Sequence, residues 1–304
     1  MTETQTTLLA VHSGALGDVI LFGRLLEALG PKATLVSGRE KGRLLAGMGV
    51  VEQSLDFDAL PMHEVFARTP LDQCTLPGLL GTHDRLVSCF GAGDRRAELR
   101  LASLCGAADA AFLPIRPHDQ ADGHLLEVWL DMLGLSGTAC DGAWGVPEAW
   151  QAQAGRTLAE RGLRLDAGYA VIHPGAGAPA KCWPVENFLA LAGRMDRPVV
   201  FVLGPVEADR WADRTIQDLA AQVPLAICPP LTALAGMLAG AEVFVGNDSG
   251  VSHLAAAVGA PTVALFGPTC PRHFAPRGPR LTVLSERPIT RIGVGAVLHA
   301  VAQT

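Results

Sequence analysis

The stretch Ala241–Pro268, AEVFVGNDSGVSHLAAAVGAPTVALFGP, restricts what this chain can fold into more than any other. Two apolar runs, Val243–Val245 and Thr262–Phe266, flank an Ala-rich segment from Leu254 to Val258, and Gly, Asp and Ser separate them. The pattern predicts strand, loop, helix, strand, the unit from which parallel α/β sheets are built. The loop Asn247-Asp248-Ser249-Gly250 then falls between the C-terminal end of a buried strand and the N-terminal end of a helix. Ligands of open α/β sheets bind at such places, because first-turn N–H groups and the positive end of the helix dipole favour an anion. Gly250 permits close backbone approach, and Asp248, Ser249 and His253 add hydrogen-bonding groups around a phosphate. Capping by Asp248 or Ser249 and packing of His253 explain the same residues without a ligand.

A second stretch has the same design. Tyr169–Lys181, YAVIHPGAGAPAK, is an apolar strand entering a Gly-rich loop that carries His173, Gly175 and Gly177, and Pro184 can open the helix that follows. Two such loops at one sheet edge would enclose a diphosphate, with Lys181 as its counter-charge. A third instance opens the chain: a strand over Thr7–His12, the loop Ser13-Gly14-Ala15-Leu16-Gly17-Asp18, and a helix over Val19–Leu29. Its glycine spacing is not G-x-G-x-x-G, so neither NAD nor FAD is expected. Asp18, just before the predicted helix, suits an N-cap.

Three ordered segments, HPGAG, then K-x-W-P-x-E-N-F, then N-D-S-G-x-S-H-L-A-A-A-x-G-x-P-T-x-x-L-F-G-P-T, resemble glycosyltransferase family 9, the ADP-heptose:lipopolysaccharide heptosyltransferases. Similar segments run from residue 12 to about residue 279. The resemblance implies the GT-B fold, an α/β arrangement of two Rossmann-like domains with parallel sheets facing across a cleft. It implies inverting, metal-independent transfer of a heptosyl group from ADP-heptose to a lipopolysaccharide inner-core acceptor, with no cofactor. G-x-L-G-D is similar to the family's N-terminal signature, and the resemblance implies Asp18 as the catalytic base, with Lys181 stabilising the departing ADP. His173, Gly175, Gly177, Lys181, Asp248, Ser249, Gly250 and His253 would hold the donor, and Glu207 in Gly204-Pro205-Val206-Glu207 its ribose. Gly17 with Asp94, Arg95 and Arg96 falls on the acceptor side, where guanidinium groups suit carboxylates or phosphates; a solvated helix face explains those charges equally. The chain departs from the family after Asp18, where Ile20-Leu21-Phe22-Gly23 replaces His/Thr and Leu-Pro, and at Cys182, where many relatives carry a basic residue. The first departure leaves the acceptor open and the second the donor sugar, so another nucleotide sugar or surface-glycan acceptor is an alternative; a non-catalytic nucleotide-sugar-binding relative is another, since each candidate residue also has a structural explanation.

The 304 residues suit two domains of about 150 residues. The Gly/Ala/Pro-rich run Ser136–Pro147 is the expected linker, giving domains 1–145 and 146–304, with a terminal helix over 293–302 crossing back toward the first. Strands are expected at Ala33–Ser37, Val50–Leu55, Arg85–Phe90, Pro198–Leu203, Leu225–Cys228 and Leu281–Leu284, and one helix over Ala208–Ala221. A net charge of -6 argues against nucleic acid as partner. Seven scattered cysteines, never in C-x-x-C, suit free thiols in a reducing compartment. Asp56-Phe57-Asp58 matches a D-x-D metal motif but reads as a strand-end loop, and no metal site is expected. MTETQTT is no secretory signal and no run suits a transmembrane span, so a cytoplasmic protein, peripheral at most, is expected. The family resemblance implies as its partner a lipid-linked saccharide at the inner membrane face. A solute-binding receptor, also built from two α/β domains, would need export.

Overall fold

Strands buried on both faces of a parallel sheet need near-continuous apolar runs, and this chain supplies them at regular intervals. The computed structural model describes residues 6–30, 32–117, 123–164, 166 and 168–304. It divides into two units, Met1–Ala139 and Cys140–Thr304, with the boundary inside the Ser136–Pro147 run. The first unit contains β1 (Leu8–Val11), α1 (Leu16–Leu29), β2 (Ala33–Ser37), α2 (Arg39–Gly47), β3 (Gln53–Asp56), α3 (Leu76–Leu80), β4 (Arg85–Ser88), α4 (Arg95–Leu104), β5 (Asp109–Phe112) and α5 (Leu125–Met132). The second begins with α6 (Glu148–Ala159), β6 (Ala170–His173), α7 (Val185–Ala192), β7 (Val199–Leu203), α8 (Pro205–Arg210), α9 (Asp213–Ala220) and β8 (Leu225–Ile227). It continues with α10 (Leu231–Ala239), β9 (Val243–Asn247), α11 (Gly250–Ala257), β10 (Thr262–Phe266), α12 (Pro271–Phe274), β11 (Leu281–Ser285) and α13 (Val294–Gln303).

The first sheet has the order β3-β2-β1-β4-β5 and the second β11-β10-β9-β6-β7-β8. All the ladders are parallel. Strand order reverses direction once in each, between β1 and β4 and between β6 and β9, and a crevice at the carboxyl ends of those strands is the usual ligand position. Both units thus have the Rossmann-like architecture of the GT-B class. Leu9, Val11, Leu86, Leu101 and Leu104 anchor the core of the first; Ile172, Trp183, Phe188, Phe201, Val245 and Leu265 anchor that of the second.

Several elements depart from expectation. β5, sequence DAAF, is an edge strand whose Asp109 and Ala110 are exposed, so it has no apolar run to mark it. The single helix predicted over Ala208–Ala221 is two, because Trp211 and Ala212 take extended backbone while Trp211 packs on the core. Helix α1 begins at Leu16, which makes Asp18 its third residue and not its N-cap. Within the second unit, Val297 and Ala300 of the terminal helix α13 are buried in the core, and α13 packs on α7 and β10. Among the described residues no helix is long and apolar enough to cross a membrane.

Trp183 joins the loop after β6 to this core. Its ring meets Phe188 edge-on with centroids 4.8 Å apart, and its Nε1–H donates to the Ile292 carbonyl at 2.8 Å. Trp183→Ala removes a fully buried indole and is expected to destabilise the protein by about 3–5 kcal/mol. Calorimetric unfolding checks this; an unchanged melting temperature would contradict the packing described.

Candidate functional site

In the second sheet His173 of β6 lies opposite Gly246 of β9, so the loops that follow these strands emerge side by side. Asn247, fully buried, ties them together. Its Nδ2 donates to the carbonyls of Pro174 (2.7 Å) and Gly175 (3.3 Å), and its Oδ1 accepts the Trp183 N–H (3.0 Å). The first loop is therefore held at both ends from one side chain. Near its end a 3-10 turn, Pro179–Lys181, presents Lys181, whose Nζ donates to Asp248 Oδ2 at 2.7 Å. The Asp248 side chain is 8% exposed and that of Lys181 32%, which puts a positive charge within solvent reach over a largely buried carboxylate. Ser249 caps α11 by accepting the Ser252 N–H, Gly250 opens the helix, and His253 is buried in its first turn.

The next strand, β7, adds Glu207. It is 3% exposed, and its Oε2 accepts the Gly204 N–H at 2.8 Å in the first turn of α8. Gly175 backs directly onto this carboxylate: a Cβ there would lie 2.0 Å from Glu207 Oε1, so only glycine fits. Gly177 has no such neighbour, but its carbonyl accepts from Arg210 at 3.0 Å. His173 is buried, with Nδ1 at 2.9 Å from the Val202 carbonyl. Burial lowers its pKa against the opposing pull of the Glu207 charge, which favours a neutral ring. A cavity of about 400 Å³ adjoins Glu207, walled also by Pro174, Cys182, Trp183, Arg210 and Trp211. The Cys182 thiol donates to Ala178 O at 3.5 Å, and burial with the Glu207 charge pushes its pKa up, so no charge stands at that position.

In the first unit β1 and β4 pair so that Val11 lies opposite Ser88, and His12 and Cys89 follow at the same sheet edge. Asp18 stands beside them, half-buried, with Oδ2 accepting the Ala15 N–H at 3.1 Å. The Cys89 thiol is pushed up by burial and then by the Asp18 charge, which keeps it a neutral neighbour. His12 is 2% exposed, its Nδ1 accepts the Gly14 N–H at 3.0 Å, and burial followed by the Lys41 charge lowers its pKa to about 4. The Gly17 backbone lies in the same first turn of α1.

The remaining acceptor-side candidates are mostly engaged in structure. Asp94 N-caps α4, accepting from the N–H groups of Arg96 (3.0 Å) and Ala97 (3.1 Å). Arg96 Nη2 donates to Ala67 O at 2.9 Å, while Arg95 projects outward, 80% exposed, 3.6 Å from Glu98. Asp56 of the D-x-D run pairs with Arg39 at 2.8 Å and caps the turn that follows β3. No cluster of three or more His, Cys, Asp or Glu with metal-binding geometry occurs among the described residues. His12 and Lys41 are organising residues that motif reading misses; Asn247 stands at the head of the N-D-S-G motif, but its part in tying the two loops together shows only in the fold.

The lowered pKa of His12 has a measurable effect on stability. Between pH 6.5 and about 4 the unfolded chain binds a proton at residue 12 that the folded chain refuses. The associated stability is complete above that window and is lost as the pH falls through it, in total on the order of 3 kcal/mol. His173 acts in the same direction. His12→Asn keeps an acceptor but cannot titrate, so its melting temperature should decline less steeply than that of the wild type on acidification; identical slopes would mean that His12 does not titrate there.

The profile of glycosyltransferase family 9 (heptosyltransferase) matches residues 109–291, more than half of the chain. A lipooligosaccharide heptosyltransferase 2 of Haemophilus influenzae is 32% identical over 119 residues, 36% of this chain and 34% of that protein. A lipopolysaccharide heptosyltransferase 1 of Pseudomonas aeruginosa is 40% identical over 106 residues, 34% of this chain and 30% of that protein. The chain thus matches about a third of the length of these curated relatives. Among solved structures, a glycosyl transferase family 9 protein of Veillonella parvula superposes with a TM-score of 0.79 at 21% identity, covering 100% of this chain and 98% of that one. E. coli ADP-heptose lps heptosyltransferase II does so with 0.75 at 18% identity, covering 98% of each. At those identities the likeness is one of fold. Together with the paired loops after β6 and β9, the profile match over most of the second unit establishes that the chain belongs to glycosyltransferase family 9.

Proposed function

We propose that this chain is an inverting glycosyltransferase that moves a heptosyl group from ADP-heptose to the inner core of lipopolysaccharide without a metal ion. The observation that carries the reading is the Lys181–Asp248 pair, 2.7 Å apart at the point where strand order reverses, next to the N-terminus of α11. A diphosphate at the end of α11 would meet main-chain N–H groups, the helix dipole and the Lys181 ammonium together. Glu207, on the neighbouring strand's loop, is a carboxylate suited to bridge two ribose hydroxyls. Asp248 and His253 would contact phosphate or sugar, while His173, Gly175 and Gly177 shape the loop that receives them.

In the proposed reaction an acceptor hydroxyl attacks the anomeric carbon, its proton passes to the Asp18 carboxylate, and the bond from that carbon to the ADP oxygen breaks. A single displacement of this kind inverts the anomeric configuration. Charge gathers on the leaving diphosphate, where Lys181 and the fixed N–H groups near Gly250 are prepared to receive it, so pre-set donors take the part a metal plays elsewhere. Gly17 and Arg95 would lie on the acceptor side. The acceptor is then a lipid-linked saccharide reached from the cytoplasmic face of the inner membrane, with the protein peripheral to it.

A second reading, transfer from a different nucleotide sugar, is favoured by one observation, the uncharged thiol of Cys182 beside the donor loop. Calorimetric titration with ADP, UDP and GDP, each with magnesium and with chelator, separates the two. Preference for ADP regardless of magnesium is expected, and Lys181→Ala should weaken ADP by roughly ten- to a hundredfold, the worth of one charge-assisted hydrogen bond. Tighter binding of UDP or GDP would sink the ADP-heptose assignment, and no binding at all would favour a non-catalytic relative.

A further inference from the structure

We propose that His12 and Lys41 are positioning residues that clamp the Gly14–Ala15 peptide and thereby aim the Asp18 carboxylate. The proposal rests on Asp18 acting as the base of the transfer. Ser13 and Ala15 are exposed at the sheet edge, beyond the last ladder of β1, so side chains must set the backbone of this loop. Two of them do. His12 Nδ1 accepts the Gly14 N–H at 3.0 Å, and Lys41 Nζ, from the first turn of α2, donates to the Gly14 carbonyl.

That carbonyl belongs to the same planar unit as the Ala15 N–H. In a trans peptide the two point in opposite directions, so fixing the oxygen with Lys41 fixes the direction of the N–H. The Ala15 N–H in turn donates to Asp18 Oδ2 at 3.1 Å. An ammonium on the carbonyl also polarises the peptide and strengthens the N–H as a donor. Oδ2 is thus held, and Oδ1 is left to face the hydroxyl that loses its proton. Gly14 is wedged within the clamp: a Cβ would sit 2.5 Å from His12 Cε1 and 3.0 Å from Asp18 Oδ2. The imidazole is itself immobilised, with ring centroids 5.2 Å from Phe22 and 6.4 Å from Trp129. It must be neutral to accept at Nδ1, and burial with the nearby Lys41 charge keeps it so.

The test uses Lys41→Met, Lys41→Arg, His12→Phe and His12→Asn in the full chain, with Asp18→Ala as control. Hydrogen–deuterium exchange over the peptide spanning Ser13–Asp18 needs no substrate. Faster exchange is expected in Lys41→Met and His12→Phe, and near wild-type exchange in Lys41→Arg and His12→Asn, whose side chains restore a donor at the Gly14 carbonyl and an acceptor near the Nδ1 position. With ADP-heptose and an inner-core acceptor, the first two should lose kcat by about ten- to a hundredfold while the donor KM and the ADP Kd stay within about twofold, since a misplaced reacting group costs rate and not donor affinity. The two conservative variants should recover most of the rate. Unchanged exchange in Lys41→Met and His12→Phe would overturn the clamp whatever the donor is. So would a kcat loss that follows the melting temperature and is not recovered by Arg or Asn. Turnover persisting in Asp18→Ala would instead remove the base on which the proposal rests, a separate failure.

Discussion

The carboxyl edge of the second sheet depends on one buried amide. Asn247 ends β9 with no solvent exposure and satisfies two carbonyls of the loop after β6 and the N–H of Trp183. Three hydrogen bonds at full burial are expensive to leave unmade, about 1–3 kcal/mol for each orphaned group. The loop after β6 is therefore bound to the end of β9 however mobile its glycines would be alone. Lys181 arrives over Asp248 as a result. The ion pair itself is partly exposed and contributes little stability; its value lies in where the charge is put.

Carboxylates of this protein divide according to what holds them. Glu64 accepts from the Thr75 N–H and hydroxyl and from the Leu76 N–H, Asp84 from Thr7, and Asp56 from Arg39; the pKa of each is lowered by those bonds. These groups fasten loops. Asp18 receives a single main-chain N–H, on one oxygen, from a peptide whose other end is gripped by a lysine. A carboxylate so restrained keeps its orientation and leaves its second oxygen free of that bond. Glu207 follows the same plan in the second unit, with Oε2 on Gly204 and Oε1 against the space that Gly175 leaves open.

The sheets were legible because burial on both faces writes itself as unbroken apolar runs; β7, VVFVL, is buried at every position. Where a strand lies at an edge the signal fades, as in β5, whose exposed Asp109 and Ala110 look like loop. The loops after β6 and β9 were legible for another reason: glycine and proline at strand ends mark turns whatever their tertiary setting. What could not be read was partnership across distance. Lys41 meets Gly14 from another element, and nothing in the REKGR run distinguishes it from a solvated lysine. Arg95 and Arg96 look alike in sequence and both are exposed, yet Arg96 is tied to the Ala67 carbonyl while Arg95 lies 3.6 Å from Glu98. The break between α8 and α9 has no proline or glycine to announce it; a tryptophan turning into the core makes it.

Bond making at the anomeric carbon, assisted by Asp18 and by fixed donors at the start of α11, is the centre of the account. Its most direct test is to incubate the purified protein with ADP-heptose of known anomeric configuration and a heptose-free inner-core acceptor in excess chelator, and to determine the product's anomeric configuration by NMR. The account predicts a glycoside of inverted configuration, formed with chelator present and absent when Asp18 is replaced by Ala. A product of retained configuration, or transfer that begins only when a divalent metal is restored, would contradict it.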